Sequence, residues 1–286
     1  VKPTDAVRAP LRLIVNADDL GLHPAVRRSV EACAAIGSIT SASMLANGPD
    51  QDALRPYPGI SLGAHLNILR GRPISPASEV RSLVGPDGLF LGSVRSLALR
   101  ILRGAIDRDE VRLEWSRQVG HLRARGVEPD HVDGERHTHC LPGLFTVACE
   151  VARTHGIGWI RRPDERYGNL RLGGGAIRRA VLRALCARAQ TGPALRTTDA
   201  VWGIAEQGAS FSADACERAL KGIGPRIVEV VCHPGLERPG DPAPCPSFGR
   251  MRVRMNWEAE HRSLCGGTWT EVASRNGWRL TSFERV

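Results

Sequence analysis

The chain has 286 residues, 42% of them hydrophobic, enough to fill one large α/β core or two small ones and too many for a disordered chain. Aromatic residues make up only 5%, so long stacking surfaces are not expected and nucleic acid is not an expected partner. The 39 basic residues outnumber the 30 acidic ones to give +9, and Lys2 and Lys221 are the only lysines, so the excess is almost all arginine, whose planar fork suits phosphate and carboxylate.

In chain order, short β-branched runs alternate with longer helical patterns. A strand at Leu11–Asn16 is followed by a helix that opens at Pro24, repeats Val26, Val30 and Cys33 on one face and stops at Gly37. Strands at Ser41–Ala46 and Ser61–His65 precede a loop-like stretch, Gly71–Gly92. Asp107 through Arg125 reads as a helix with Asp109 and Glu110 in its first turn, Arg123 and Arg125 in its last, and Gly126 as its stop. Then come a strand at His131–Asp133, a helix from Pro142 to near Gly156, and strands at Trp159–Arg161, Ala200–Trp202 and Ile227–Cys232. A Pro-rich loop, Leu236–Gly249, separates these from a last strand at Trp278–Ser282. Seven or eight parallel strands in a chain of this size predict a single-domain (β/α) barrel over residues 1–286, with its core from about residue 11; an open doubly wound sheet is the alternative.

Eight cysteines without a C-x-x-C pair speak against a thiolate zinc cluster and suit small buried thiols. The polar start and the short apolar run Leu13–Val15 predict neither a secretory signal nor an integral membrane segment, hence a cytoplasmic protein.

The polar residues that stand out fall at the carboxyl ends of the predicted strands, the face on which barrel enzymes assemble their sites. Asp18 and Asp19 follow the first strand, His65 and Asn67 close the third, and His233 follows the seventh. His131, Asp133, Glu135, His137 and His139 occupy alternate positions, so a continuing strand would point all five the same way. Adjacent aspartates repel and call for a shared proton or a cation, although an isolated Asp-Asp after a strand often merely caps a helix. Asp, His and a third O or N ligand around one divalent ion would leave positions open for water and a substrate oxygen; a neighbouring aspartate could then take the proton of the water and a histidine opposite could protonate a leaving nitrogen. No G-x-x-x-x-G-K or G-x-S-x-G sequence supports a phosphate loop or a serine nucleophile.

Five segments resemble the YdjC (ChbG-like) family of carbohydrate deacetylases: Leu13–Gly21 (LIVNADDLG), Ile39–Ser43 with Ala46–Pro49, Leu62–Asn67 with Gly71–Pro73, Asp130–Asp133 with His137–His139, and Val230–Gly235. They occur in family order over about residues 11 to 236; the last fifty residues match loosely. The resemblance implies a distorted (β/α) barrel and metal-dependent removal of an N-acetyl group from an amino sugar or acetylated glycoside. Carried over by position, Asp18 resembles the general base, Asp19 and His65 metal ligands, and His233 the general acid. Asn67, Arg161, Arg162, His137 and His139 are the expected substrate contacts.

One departure stands out, because the family motif carries a metal-ligating histidine where this chain has Glu135. A carboxylate there makes an Asp19, His65, Glu135 site for one divalent ion, Mg2+ or Zn2+ with Mn2+ as a further choice, more anionic than the family's own. His137 or His139 taking the ligand role is the alternative, as is loss of tight metal binding. From Arg161 to Arg196, nine arginines face two acids, which fits either a solvated helix face or an anionic amino-sugar substrate. A sugar isomerase or epimerase and a sugar-binding protein without catalysis are the competing functions; a homodimer is compatible with the chain.

Overall fold

The first strand, β1 (Arg12–Leu20), carries the logic of the architecture. Leu13, Val15 and Ala17 join the main core with Val26 and Val30 of the following helix, while Ile14 faces the other way and packs with Trp159 and Phe283. This period-two division between helix side and barrel interior holds for any strand buried on both faces. The computed structural model describes residues 9–168, 174–187, 190–192, 194–224, 226–248 and 254–286.

Strand β1 pairs in parallel with β2 (Ser41–Met44) and β7 (Ile227–Cys232), and its first residues pair with the short β8 (Arg279–Leu280). The sheet runs β5 (Trp159–Ile160), β4 (His131–Gly134), β3 (Ser61–Leu66), β2, β1, β7 and β6 (Ala200–Trp202), with every pairing parallel. Between its two ends, Ile160 N donates to Arg196 O at 3.0 Å and Val201 N donates to Asp164 O at 3.2 Å, so β5 and β6 approach without forming a ladder. The result is a distorted (β/α) barrel. The helices are α1 (Pro24–Ala35), α2 (Val94–Leu102), α3 (Arg108–Ala124), α4 (Leu144–Thr154), α5 (Gly174–Cys186), α6 (Ala213–Leu220), α7 (Arg254–Cys265) and α8 (Thr268–Arg275). The caps follow the sequence signals: Asp107 accepts from Asp109 N at the start of α3, and Pro24 occupies the first turn of α1.

Two expectations need correcting. The first strand does not end at Asn16 but runs to Leu20, so Asp18 and Asp19 lie within it. Its register against β2 moves from Ala17↔Ala42 to Leu20↔Met44, three steps on one strand against two on the other. That extra residue is a bulge, and Asp19 takes up a left-handed φ of 66° there, a conformation that Asp tolerates better than most residues. Neighbours that would otherwise point to opposite faces are thereby brought to the same side. The second correction concerns His131–His139, which does not continue as a strand. Ladder pairing ends at Gly134, and Glu135–Cys140 forms a short 3-10 segment with Arg136 and His137 at positive φ (49° and 58°). The shared face of the five alternate residues is lost.

Both predicted loops are long and mostly irregular. Gly71–Gly92 contains a 3-10 turn at Ala77–Glu79 and a Val84↔Phe90 bridge; the Pro-rich loop contains a turn at Pro246–Phe248, and Gly249 lies outside the described residues. The loops meet where Gly71 N donates to Ser247 O at 3.0 Å. A Cβ on Gly71 would come within 2.5 Å of the Phe248 ring, so glycine permits the contact. Among the described residues no helix is long and apolar enough to cross a membrane.

Candidate active site

Inside the barrel, an apolar floor supports a polar layer. His131 stacks on Phe283 of the floor with ring centroids 4.1 Å apart, and its imidazole occupies the space a Cβ at Gly63 would need, 2.2 Å from Nε2. Above it lies Arg161, just after β5, with a side chain wholly shielded from solvent. Its Nη1 and Nη2 each lie 2.7 Å from an oxygen of Asp18, Nη2 is 2.7 Å from Asp133 Oδ2, and Nε donates to Glu229 Oε1 at 2.8 Å. Asn16 Nδ2 donates to Asp18 Oδ1 at 2.8 Å and to Ser43 Oγ at 2.9 Å; Ser43 in turn donates to Asp133 Oδ2 at 2.8 Å. Burial opposes ionisation of all three carboxyl groups. For Asp18 and Asp133 the Arg161 charge outweighs that opposition and holds them below the usual carboxylate range, whereas burial wins at Glu229 and raises it.

A second cluster adjoins the first through His65. Its Nδ1 lies 2.7 Å from Asp133 Oδ1, so Nδ1–H donates to that carboxylate and Nε2 faces the other way. There it meets Asp19 Oδ1 at 3.6 Å and Glu135 Oε2 at 3.5 Å. Glu135 Oε1 is taken by Arg70 Nη2 at 2.6 Å, and Arg70 Nη1 donates to Phe248 O at 3.0 Å. Burial and the Glu135 charge push Asp19 up to about 6. Burial also works against the charged forms of Glu135 and His65, but Arg70 and His65 hold Glu135 well down, and Asp133 and Glu135 hold His65 well above its ordinary value.

Asp19 Oδ1 is buried and has no hydrogen-bond partner, although such atoms are rarely left bare. Donor atoms about 2.1 Å from a shared ion at a tetrahedral angle stand about 3.4 Å apart, close to the spacing of His65 Nε2 from both carboxylates. A histidine whose far nitrogen is held by a carboxylate is also the usual presentation of a metal ligand. The donor set of Asp19, His65 and Glu135 therefore fits one divalent cation. The alternative grouping of Asp18, His65 and Asp133 does not, because Arg161 already supplies the positive charge there.

The remaining residues singled out from the sequence are placed as follows. His233, just past β7, has Nε2 3.9 Å from Asp18 Oδ2, and its backbone N donates to Glu260 Oε2 at 2.5 Å. Asn67 is buried within the chain: Oδ1 accepts from Leu69 N at 2.8 Å and Arg70 N at 3.1 Å, and Nδ2 donates to Asn47 Oδ1 and Arg70 O at 2.9 and 2.8 Å. It builds the turn that carries Arg70. His139 donates through Nε2 to Arg161 O at 3.0 Å, and burial lowers its imidazole to about 4. His137 is half-buried with Nδ1 unpartnered, and Arg162 lies 3.6 Å from Asp164. Asp164 also pairs with Arg166 and Arg183 at 2.7 and 3.4 Å, so part of the arginine run is neutralised within the protein; Arg171 and Arg188 lie outside the described residues.

Four contributors escaped sequence reasoning: Ser43, Arg70, Glu229 and Glu260. Glu229 carried a signal, being one acid inside the apolar run Ile227–Cys232. Glu260 carried none; only folding reveals that its two oxygens accept from Gly208 N and His233 N.

A barrel with an apolar floor, a buried arginine hub and a three-donor cluster at the strand ends defines a protein of the (β/α)-barrel enzyme class. The family described as YdjC-like protein matches residues 12–275, and the chain belongs to that family. Similar proteins include the human protein named carbohydrate deacetylase, 32% identical over 97% of this chain and 91% of its own length. Its mouse counterpart of the same name is 32% identical over 96% and 94%. Among solved structures, a candidate cellobiose-phosphate cleavage protein of Enterococcus faecalis shares the fold at a TM-score of 0.71 and 22% identity, covering 96% of this chain and 98% of that one.

Proposed function

We propose that the protein is a carbohydrate N-deacetylase that hydrolyses the acetamide of an amino sugar with one divalent ion held by Asp19, His65 and Glu135. The observation that carries this reading is the convergence of Asp19 Oδ1 and Glu135 Oε2 on His65 Nε2, at 3.6 and 3.5 Å, directly beside Asp18 and His233. The names of the human and mouse relatives support the reaction class. When bound, such an ion polarises the amide carbonyl and lowers the pKa of water.

The chain's own residues supply the proton transfers. Asp18 is the general base: Arg161 fixes both of its oxygens, so the carboxylate stays ionised in a buried setting and ready to accept a proton at Oδ2, the oxygen that faces His233. His233 is the general acid that gives a proton to the departing nitrogen, its backbone seated by Glu260. Asp133 holds His65 in the tautomer that presents Nε2, and Arg70 fixes Glu135 through Oε1 so that Oε2 stays turned to His65. His137 and Arg162 are assigned as substrate contacts, while Arg161 and Asn67 act from behind, through Asp18 and through the Arg70 turn. The test is acetate release from a panel of N-acetylated amino sugars, neutral and phosphorylated, by protein stripped with chelator and resupplied with Mg2+, Mn2+ or Zn2+. Ion-dependent acetate is expected; turnover of sugar without acetate, or acetate undiminished by chelation, overturns the proposal.

A further inference from the structure

Outside the active site, a second group of reactive side chains joins α1 to α7. Cys33, in the last turn of α1, is fully buried, and Cys265, the last residue of α7, is half-buried. Their sulfurs lie 2.7 Å apart. Carbon atoms in contact rest about 3.5–4.0 Å apart and sulfur is larger, so two thiols cannot remain at this separation as non-bonded neighbours. Two thiolates on a tetrahedral zinc, each about 2.3 Å from the ion, would stand about 3.8 Å apart, so a shared metal is the poorer match. A bonded pair at about 2.05 Å is the nearer state. His261 completes the group: its Nδ1 is 3.6 Å from Cys265 Sγ, 3.8 Å from Cys33 Sγ and 2.7 Å from Ser29 Oγ. Burial lowers the His261 pKa, which keeps the imidazole neutral and able to accept a thiol proton.

We propose that Cys33 and Cys265 are an oxidative modification site, closing reversibly to a disulfide that ties α1 to α7, with a small disulfide such as oxidised glutathione as the oxidant. The more accessible Cys265 gives its proton to His261 Nδ1, attacks one sulfur of the oxidant and displaces one glutathione thiolate, forming a mixed disulfide. His261 passes that proton to the departing glutathione thiolate and is free again. Cys33, whose burial disfavours a standing thiolate, gives its proton to His261 Nδ1 as it attacks Cys265 Sγ; the mixed S–S bond breaks, the protein S–S bond forms and the second glutathione thiolate leaves. Two protein thiols and one glutathione disulfide become one protein disulfide and two glutathione thiols, with the protons passing to the thiolates released. The closed loop spans most of the chain, so the bond removes much of the unfolded ensemble's freedom.

The chain suits a direct test, because trypsin, which spares the Arg55–Pro56 bond, puts Cys33 in peptide 29–70 and Cys265 in peptide 263–275, each with no other cysteine. After incubation of the folded full chain with oxidised glutathione, we expect the free thiols to fall from eight to six, a linked pair of these two peptides, and a thermal midpoint raised on the order of 5–10 °C and reversed by dithiothreitol. Cys33→Ser and Cys265→Ser should each abolish the linked pair and the shift; the half-buried Cys265 position serves as control if the buried one fails to fold. Eight persistent thiols, linkage between other cysteines, or arrest at glutathionylated Cys265 would overturn the proposal. So would a chelator-treated protein that forms no link but whose Cys33 and Cys265 are shielded from alkylation by added Zn2+, which would make the group a metal site instead.

Discussion

The two polar clusters of the barrel interior share His65 and Asp133 yet solve the same electrostatic problem differently. Around Arg161, three carboxylates are gathered on one guanidinium, so the compensating charge is covalently part of the chain and is present once the chain folds. Around His65 Nε2, Arg70 pairs with Glu135 alone, and Asp19 Oδ1 is left bare. Buried charge demands compensation in both places. The first cluster is closed on itself, whereas in the second Asp19 Oδ1 still lacks the partner that the proposed ion would supply. Perturbing the first should therefore cost folding, and perturbing the second should cost ligand.

The largest expected effect is on the self-contained cluster. Arg161→Met removes the partner of three buried carboxylates and should lower unfolding free energy by about 3–5 kcal/mol, read by chemical denaturation; a loss below about 1 kcal/mol would dissolve the distinction. In the open cluster, Glu135→Ala should weaken divalent-ion binding by about 100-fold or more in calorimetric titration, with a smaller loss of ion-free stability than Arg161→Met because only Arg70 is left without its partner. Unaltered ion affinity would remove Glu135 from the donor set. Asp133→Asn touches both clusters and should show it: about 10–100-fold weaker ion binding through the lost hold on His65, together with a measurable fall in stability.

The smallest effect is a change of slope with pH. Because His65 sits well above its ordinary value, ion binding displaces about one proton at neutral pH; below about 6, where Asp19 also takes up a proton, it displaces about two. Ion affinity should thus fall with acidification, and fall more steeply below pH 6. The sign for folding is opposite: a carboxyl raised from 3.8 to about 6 binds its proton more tightly in the folded state, so ion-free stability from this group declines as pH rises between those values. Asp19→Asn should remove the extra steepness of ion affinity below pH 6 and the decline of ion-free stability between pH 3.8 and about 6, leaving the one-proton slope of His65; extra steepness that survives would assign the second proton elsewhere.

Much of this was legible in the sequence for identifiable reasons. Alternating apolar runs with Pro and Gly punctuation located the strands, because strands buried on both faces have little compositional freedom. The strand-end rule then brought Asp18, Asp19, His65 and His233 to one face, where the structure also has them. Periodicity failed where the backbone leaves regular geometry. It could not foresee the bulge that turns Asp18 and Asp19 to one side, nor the left-handed pair Arg136–His137 that separates Glu135 from His139. It was also blind to charge balance between distant segments: Arg161 and Asn67 read as substrate contacts, yet the guanidinium is enclosed by carboxylates and the amide shapes a turn.

The contact between Arg70 and Glu135 constrains the history of the site as well as its chemistry. Glu135 is a two-oxygen side chain serving a guanidinium with one oxygen and facing His65 with the other. Replacing Glu135 by histidine alone would strand a shielded guanidinium, so a change at residue 135 calls for one at residue 70. The two positions are thus coupled in charge: a change at either one alone leaves a buried charge without its partner.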